Sequence, residues 1–232
     1  MMKPDMRSVS EPKARPLSPR RRRLRYIAMK LRYDSLAQLA LDGLAVLGIR
    51  IEPYRLYLEG LALLPDDAQQ ASVGRDDFKV RPLRREDLAF IASLPDRDHS
   101  EKSLKRRLEA GMIGLGAWRG DDLAAFVWCD LKACDYSFHA FALNSDEAYL
   151  CDTYTLPRFR GGGLAPHMRR LLYTEMARMG RTTLYSISDT FNTPSIRFKR
   201  KLNARLLDAG VGATLFGRWR FCRRRTGYRL GS

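Results

Sequence analysis

The apolar positions of the chain follow two different patterns. From about Leu24 to Leu47 they recur every three to five residues, which is the spacing of one face of an α-helix. Residues 1–19 are rich in proline, serine and charge and lack this period, so we expect a disordered basic tail there. Residues 51–64 mix alternating and paired apolar positions, which permits a short strand or an irregular hairpin. We predict a helical N-terminal extension over residues 20–70.

The second pattern begins at Asp77, after a linker rich in Pro, Asp, Gln and Gly. Its apolar positions predict the order β-α-α-β-β-β-α-β-α-β-β, which includes a strand over Ala148–Leu156, a helix over Leu164–Met179 and a strand over Thr183–Ser188. Strands and helices that alternate in this way indicate an α/β domain with a mixed sheet over residues 77–228.

The composition adds a strong positive charge, with a formal net charge of +16 over 232 residues. This charge attracts polyanions such as cofactor phosphates, nucleic acid, acidic carrier proteins and anionic membranes, although a proteome that uses arginine freely explains it too. The four cysteines form no CxxC pair and there are three histidines, so we expect neither a metal site nor a disulfide scaffold. No secretory signal is visible, and the longest apolar stretch, Leu36–Ile49, is too short to span a bilayer. We expect a cytoplasmic protein.

A glycine-rich segment, Leu156–Ala165, lies between a predicted strand and a predicted helix. Glycines permit a sharp turn with uncovered N–H groups, the following helix adds the positive end of its dipole, and Arg158 and Arg160 add charge. These features predict a phosphate site. The spacing does not fit the GxGxxG fingerprint of dinucleotide-binding folds, and no Gly-Lys-Ser/Thr follows as in a Walker loop. A purely structural glycine turn stays open as an alternative.

Three segments carry a resemblance to a known family. Arg160-x-x-Gly163-x-Ala165 resembles the Arg/Gln-x-x-Gly-x-Gly/Ala signature of the GNAT acyl-CoA-dependent N-acetyltransferases. The downstream segment 192–204 is similar to that family's second motif, and residues 80–88 are similar to its opening strand and helix. The resemblance implies a mixed central sheet, whose fourth and fifth strands splay apart, flanked by helices. It also implies acetyl-CoA or another acyl-CoA as co-substrate.

The same resemblance implies where the co-substrate binds. The pantetheine arm is expected to run along the strand that ends at Tyr154–Leu156, where a backbone N–H near Leu156 polarises the thioester. The pyrophosphate is expected on the amides of Arg160–Ala165, and two residues of the second motif are expected near the far end of the arm or the adenine. The implied cofactor-binding residues are Thr155, Leu156, Arg158, Arg160, Gly161, Gly162, Gly163, Leu164, Ala165, Asn192 and Ser195.

The proton donor is less well matched. Many relatives use a Tyr of the second motif to protonate the leaving thiolate, and this chain has Lys199 at that position. A lysine can protonate a thiolate, but we favour a solvated charge on the helix surface as the role of Lys199. The Gly-Phe that closes the family motif is also replaced, by Asn203-Ala204.

Two side chains are candidates for accepting the proton of the acceptor. Asp152 and Tyr154 are two residues apart on one strand, so alternation predicts that they share one face. Asp152 is then either the base or a partner for a nearby loop. Cys151 is expected to point to the other face, which argues against an acyl-cysteine route.

Partners are suggested by both ends of the chain. Six arginines, interleaved with Trp219, Phe221 and Tyr228, crowd the C-terminus and suit an anionic acceptor, an acidic acyl carrier protein or RNA, or simply protect an edge strand. The basic N-terminal helix suits an anionic membrane at the inner face of the cell membrane, packing on the domain, or a homodimer. We expect an acyltransferase acting on an amine or hydroxyl, such as a sugar or lipid-pathway intermediate. The alternative is a degenerate GNAT fold that binds nucleic acid or an anionic membrane.

Overall fold

The computed structural model describes residues 41, 43–64, 77–94 and 99–228. Residues 43–46 are helical and lead into the first strand. The strands are β1 Ile49–Glu59, β2 Lys79–Pro82, β3 Ile113–Arg119, β4 Asp122–Asp130, β5 Ala133–Tyr136, β6 His139–Ala142, β7 Glu147–Thr155, β8 Thr183–Asp189, β9 Arg205–Leu215 and β10 Trp219–Arg224. The helices are α1 Leu88–Ala92, α2 Glu101–Glu109, α3 Leu164–Arg178 and α4 Thr193–Lys201, with 3-10 turns at Leu61–Leu63, Arg85–Asp87 and Pro157–Phe159.

Eight strands form one mixed sheet in the order β10-β9-β1-β8-β7-β4-β3-β2. The pair β7–β8 is parallel, and the other neighbouring pairs among the described strands are antiparallel. The predicted α/β class with a mixed sheet flanked by helices is therefore confirmed. Strands β5 and β6 form a separate two-stranded sheet.

Strand β1 is the main departure from the predicted organisation. It pairs antiparallel with both β8 and β9, so it lies inside the large sheet. The prediction of a helical extension over 20–70 is wrong for residues 49–59, because alternating side chains from Tyr54 to Leu58 fit a strand with one buried face. A domain that starts at residue 77 also omits this central strand. The expected tail over 1–19 and the helix up to residue 40 lie outside the described residues.

The two faces of the sheet have different covers. Helix α3 packs Leu172 and Met176 against Val127 and Leu150 on one face. On the other face, α1 and α2 pack against β4 side chains that include Trp128. The β5–β6 hairpin covers the rest of that second face, over β1, β7 and β8. This arrangement buries the middle of the sheet and leaves its β10 edge with exposed side chains.

Strands β7 and β8 pair over only three residues each. The paired positions run from Glu147 opposite Thr183 to Tyr149 opposite Tyr185, and beyond them the two strands separate. The predicted splay is thus confirmed. On its other edge, β7 has a bulge, because Phe126 pairs with Tyr154 whereas Trp128 pairs with Cys151.

Candidate functional site

The glycine turn follows the open end of the gap between β7 and β8. Gly161 and Gly163 have φ angles of 86° and 71°, in the left-handed region that glycine adopts without strain. A Cβ added at Gly161 or Gly162 would meet no atom within 4 Å. The backbone of the turn is therefore accessible to a ligand that needs close approach.

Helix α3 begins directly after this turn. Gly163 is its N-cap residue, no side chain from the described residues caps it, and its first turn contains no acidic residue. The amides of Leu164 and Ala165 lie in the first turn of a 15-residue helix, where they have no acceptor within the helix. The turn and the helix dipole together suit an anion such as a pyrophosphate.

The two arginines of the turn point to different neighbours. Arg160 donates from Nε to the Thr155 carbonyl at 2.9 Å, and its guanidinium lies 5.4 Å from the centre of the Tyr154 ring. Arg158 forms an ion pair with Asp122 at 2.8 Å, with both side chains more than half exposed. Arg160 thus fixes the turn to the end of β7, whereas Arg158 keeps a mobile charge near it.

Two buried hydroxyls near the C-terminal end of β7 have no hydrogen-bond partner among the described residues. The Oγ1 atoms of Thr153 and Thr155 are buried and form no hydrogen bond with the described residues. The Leu156 amide itself donates to the Ala124 carbonyl at 2.9 Å, so it is not directed at a ligand, and the polarising role of a backbone N–H near Leu156 stays a prediction. Because successive amides of a strand point to opposite edges, the Thr155 amide points into the gap. An amide-bearing arm such as pantetheine fits these donors and acceptors.

The predicted residues of the second motif lie on the β8 side of the gap. Asn192 is the N-cap of α4, where its Oδ1 accepts a hydrogen bond from the Ser195 amide at 3.0 Å. The Ser195 hydroxyl lies 2.7 Å from the Ser188 hydroxyl on β8. Asn192 therefore caps α4 and Ser195 joins it to the sheet, and their contact with a co-substrate stays a prediction.

Lys199 is buried, with a relative exposure of 1%. Its Nζ donates to the Ser186 hydroxyl at 2.6 Å and lies 3.8 Å from the Glu59 carboxylate. The alternative of a solvated helix charge is therefore wrong. Ser186 directly follows Tyr185, the last β8 residue that pairs with β7, so the ammonium lies beside the closed end of the gap.

Lys199 belongs to a buried network that joins β1, α3, β8 and α4. Glu59 accepts hydrogen bonds from the hydroxyls of Tyr173 and Ser186, and its carboxylate lies 3.4 Å from Nε of Arg169. The five side chains of the network are Glu59, Arg169, Tyr173, Ser186 and Lys199. Sequence reasoning missed four of them, although a single Arg on the apolar face of α3, four residues before Tyr173, was a visible signal.

The pKa values of Lys199 and Glu59 are both lowered, for different reasons. Burial lowers the pKa of Lys199 to about 7, with the nearby Arg169 cation adding to the effect and Glu59 opposing it. Burial raises the pKa of Glu59, but Arg169, Lys199 and two hydroxyl donors lower it by more, so the net pKa lies below its ordinary value. Lys199 can therefore change charge near neutral pH while Glu59 stays ionised.

Asp152 lies in the β7 bulge with a φ angle of 43°. Its carboxylate is 5% exposed and binds Arg107 of α2 at 2.6 Å and Nε2 of His99 at 3.1 Å. Cys151 packs on the same face of the sheet, so the predicted opposite orientation of these two side chains is wrong, because the bulge breaks the alternation. Burial raises the pKa of Cys151 to about 11, which keeps the thiol protonated near neutral pH. Tyr154 stacks on Phe126 with ring centres 5.5 Å apart.

Two kinds of feature are absent from the described residues. No group of three or more His, Cys, Asp or Glu side chains there could hold a metal ion. No helix among the described residues is both long and apolar enough to cross a membrane.

Comparisons with known proteins place these features in a family. A family model described as "Acetyltransferase (GNAT) family" matches residues 80–204. A Drosophila protein of solved structure aligns with 85% of this chain at 20% identity and a TM-score of 0.54. A GNAT-family protein from Novosphingobium aromaticivorans aligns with 72% of the chain at 20% identity and a TM-score of 0.50. A tandem GNAT protein from the clavulanic acid biosynthesis pathway aligns with 71% at 14% identity and a TM-score of 0.51.

The alignments cover only part of these solved structures. They span 57%, 66% and 54% of the three, in the order given. No curated protein sequence matches the chain significantly.

Proposed function

The chain belongs to the GNAT acetyltransferase family, and on that premise we propose that it transfers an acyl group, most simply acetyl, from acyl-CoA to an amine acceptor. The observation that carries the proposal is the alignment of two features along β7. The gap beside β8 opens toward the C-terminal end of β7, and the uncapped N-terminus of α3 follows at that same end. A ligand with an extended arm and a pyrophosphate matches both.

Acyl-CoA supplies a thioester, whose carbonyl an amine can attack and whose thiolate leaves. The amides from Gly161 to Ala165 bind the pyrophosphate, and Arg158 adds mobile charge. Thr153 and Thr155 line the arm with hydroxyls that otherwise have no partner among the described residues. Asn192 caps α4 and Ser195 joins the helix to β8, and together they shape the opposite side of the gap.

In this proposal Lys199 donates the proton to the leaving thiolate, in the role that a Tyr has in many relatives. Its ammonium lies beside the closed end of the gap and donates to Ser186. A pKa of about 7 makes the ammonium a competent acid near neutral pH, because it matches the proton affinity of a thiolate far better than an exposed lysine does. Glu59 holds the ammonium in position.

The proton of the amine is assigned to the pair of His99 and Asp152. Asp152 has its carboxylate bound to Arg107 and His99, which suits an orienting role. His99 is part exposed, and imidazole is the side chain most often used as a general base, so we assign the proton to His99 rather than to the buried Asp152. Tyr154, which packs in the core beneath Arg160, helps to fix the wall of the gap.

The test is titration calorimetry with acetyl-CoA and CoA, followed by a free-thiol assay over a panel of primary amines. Gly162→Asp is the decisive variant, because this position has room for a side chain and a φ outside the left-handed region. The new carboxylate repels the pyrophosphate and should weaken binding by about 10- to 100-fold. Gly162→Asn is the matched uncharged control and should bind much more tightly than Gly162→Asp.

Two results would overturn the proposal. If the wild-type protein does not bind acetyl-CoA, the transferase function is wrong. If it binds acetyl-CoA but releases no thiol with any amine, the alternative of a binding module on a degenerate GNAT fold is favoured.

A further inference from the structure

An exposed apolar tip lies at the end of the β9–β10 hairpin, and β1 separates β9 from the β8 strand that borders the gap. Two segments form it, and we call it the hairpin tip: Val46, Leu47, Phe216 and Trp219. Their exposed fractions are 87%, 68%, 67% and 55%, respectively. Large apolar side chains at such exposure, grouped together, are typical of an interaction site.

Direct contacts join the two segments. The Phe216 amide donates to the Gly48 carbonyl at 2.6 Å. A Cβ on Gly48 would lie 2.8 Å from the Phe216 ring, so only glycine allows this close approach. The Phe216 and Trp219 rings are 6.5 Å apart and nearly perpendicular. The tip is therefore one built surface, not a set of unrelated side chains.

Phe216 is held in an unfavourable backbone conformation, with a φ angle of 50°. A bulky residue rarely adopts this region, where Gly or Asn is preferred. Phe216 and Gly217 are the central residues of the hairpin turn, which the Arg218 amide closes on the Leu215 carbonyl at 3.0 Å, so the positive φ angles come from the turn. A Gly or Asn would suit this turn better, and Phe216 instead places a large ring in solvent.

The charge near the hairpin tip indicates the kind of partner that the tip binds. From Ala209 to Ser232 the sequence contains six arginines and no acidic residue. Glu52 on β1 lines a cleft beside the β5–β6 hairpin together with Arg50 and Arg220, so cations outnumber it there. Arg218 and Arg220 lie on either side of Trp219 in the chain. An apolar tip with cationic neighbours calls for a partner with negative charge at its surface and an apolar interior.

Three other occupants fit less well. Residues 1–40 of this chain carry eleven Lys or Arg residues against three acids, so their charge is not complementary. A second copy would bring the same arginines face to face. Single-stranded RNA stacks on aromatic rings but gains little from exposed Val46 and Leu47. A bilayer interface accommodates aliphatic and aromatic side chains together, with arginines at the headgroups.

We propose that the hairpin tip inserts into the headgroup region of a membrane that contains anionic lipid, with Phe216 and Trp219 as the anchoring rings. The contact is peripheral. It does not depend on transferase activity, because it uses none of the residues assigned to the gap or the glycine turn.

The chain contains its own reporter for this contact. Of its three tryptophans, Trp118 and Trp128 are 8% and 0% exposed, so lipid can reach only Trp219 without unfolding. Vesicles of phosphatidylcholine with phosphatidylglycerol should shift the Trp219 emission to the blue, and brominated acyl chains should quench it. Pure phosphatidylcholine vesicles should do neither. Residues 1–40 contain no tryptophan, so quenching reports the tip even if that segment also binds lipid.

Phe216→Asn removes the ring and relieves the backbone strain, so the variant should fold. Partitioning into anionic vesicles should weaken about tenfold, because the largest anchoring side chain is lost. The control is Phe90→Asn on α1, which removes a ring that is 45% exposed elsewhere and should leave partitioning unchanged. Partitioning that Phe216→Asn leaves unchanged would contradict the proposal. So would a blue shift that appears without lipid as the protein dimerises, or with an RNA oligonucleotide but not with vesicles.

Discussion

The glycine turn and the buried network both have roles in the proposed function, but they are built in opposite ways. The turn uses backbone amides of adjacent residues, and its glycines have open space around them. The network uses side chains from β1, α3, β8 and α4, and its charged members are at most 3% exposed. A change in the turn should therefore affect binding but not folding. A change in the network should affect folding first, because buried charges tolerate the loss of a partner poorly.

The largest expected effect tests the network. Glu59→Gln removes the carboxylate that balances Arg169 and Lys199, and breaking a buried pair in this way costs about 3–5 kcal/mol. We expect a loss of that size in urea unfolding, reduced somewhat above neutral pH, where Lys199 is neutral. Glu109→Gln, which affects an exposed pair with Arg85, is the control and should change little. If Glu59→Gln costs less than the control, the network is not what stabilises β1 in the sheet.

The next prediction separates catalysis from folding within the same network. Lys199→Met keeps the length of the side chain and removes the ammonium, so turnover should fall by roughly 10²-fold if Lys199 protonates the thiolate. The protonated form is the active one. Because the folded pKa is about 7, wild-type turnover should decline as pH rises through that value, and the variant should lack this limb. Turnover and pH dependence that are unchanged in a folded variant would remove Lys199 from the mechanism.

The same contrast explains what the sequence could predict. The turn was predictable because glycines, arginines and the start of α3 are neighbours in the chain. The network was not, because Glu59 and Lys199 are 140 positions apart and only the insertion of β1 between β8 and β9 brings them together. The bulge at Asp152 was also hidden, since a positive φ at a non-glycine residue depends on how β4 and β7 pair. The sequence predicted the chemistry of residues that are neighbours in the chain, but it did not predict which distant strands pair.

A smaller effect is expected at Asp152, a buried charge on β7 that belongs to neither the glycine turn nor the buried network. Asp152→Asn should weaken the orientation of His99 and lower turnover on the order of tenfold. Binding of acetyl-CoA should be unchanged, because the residue lies on the α1–α2 side of β7. Asp135→Asn on the exposed hairpin serves as the control. Unaltered kinetics would assign Asp152 a purely structural pairing with Arg107.

The smallest effect is expected at Arg158. This residue tests how much a side-chain charge adds to a site whose other proposed contacts are backbone amides. Arg158 is more than half exposed and pairs with an equally exposed Asp122, so salt screens its charge. Arg158→Ala should raise the KM for acetyl-CoA only about two- to fivefold at low salt. The difference from wild type should vanish at high salt, with kcat unchanged. Asp122→Asn releases Arg158 from its partner and should leave the KM unchanged or slightly lower. A loss with Arg158→Ala as large as that with Gly162→Asp would mean that side-chain charge, not the amides of the turn, holds the pyrophosphate.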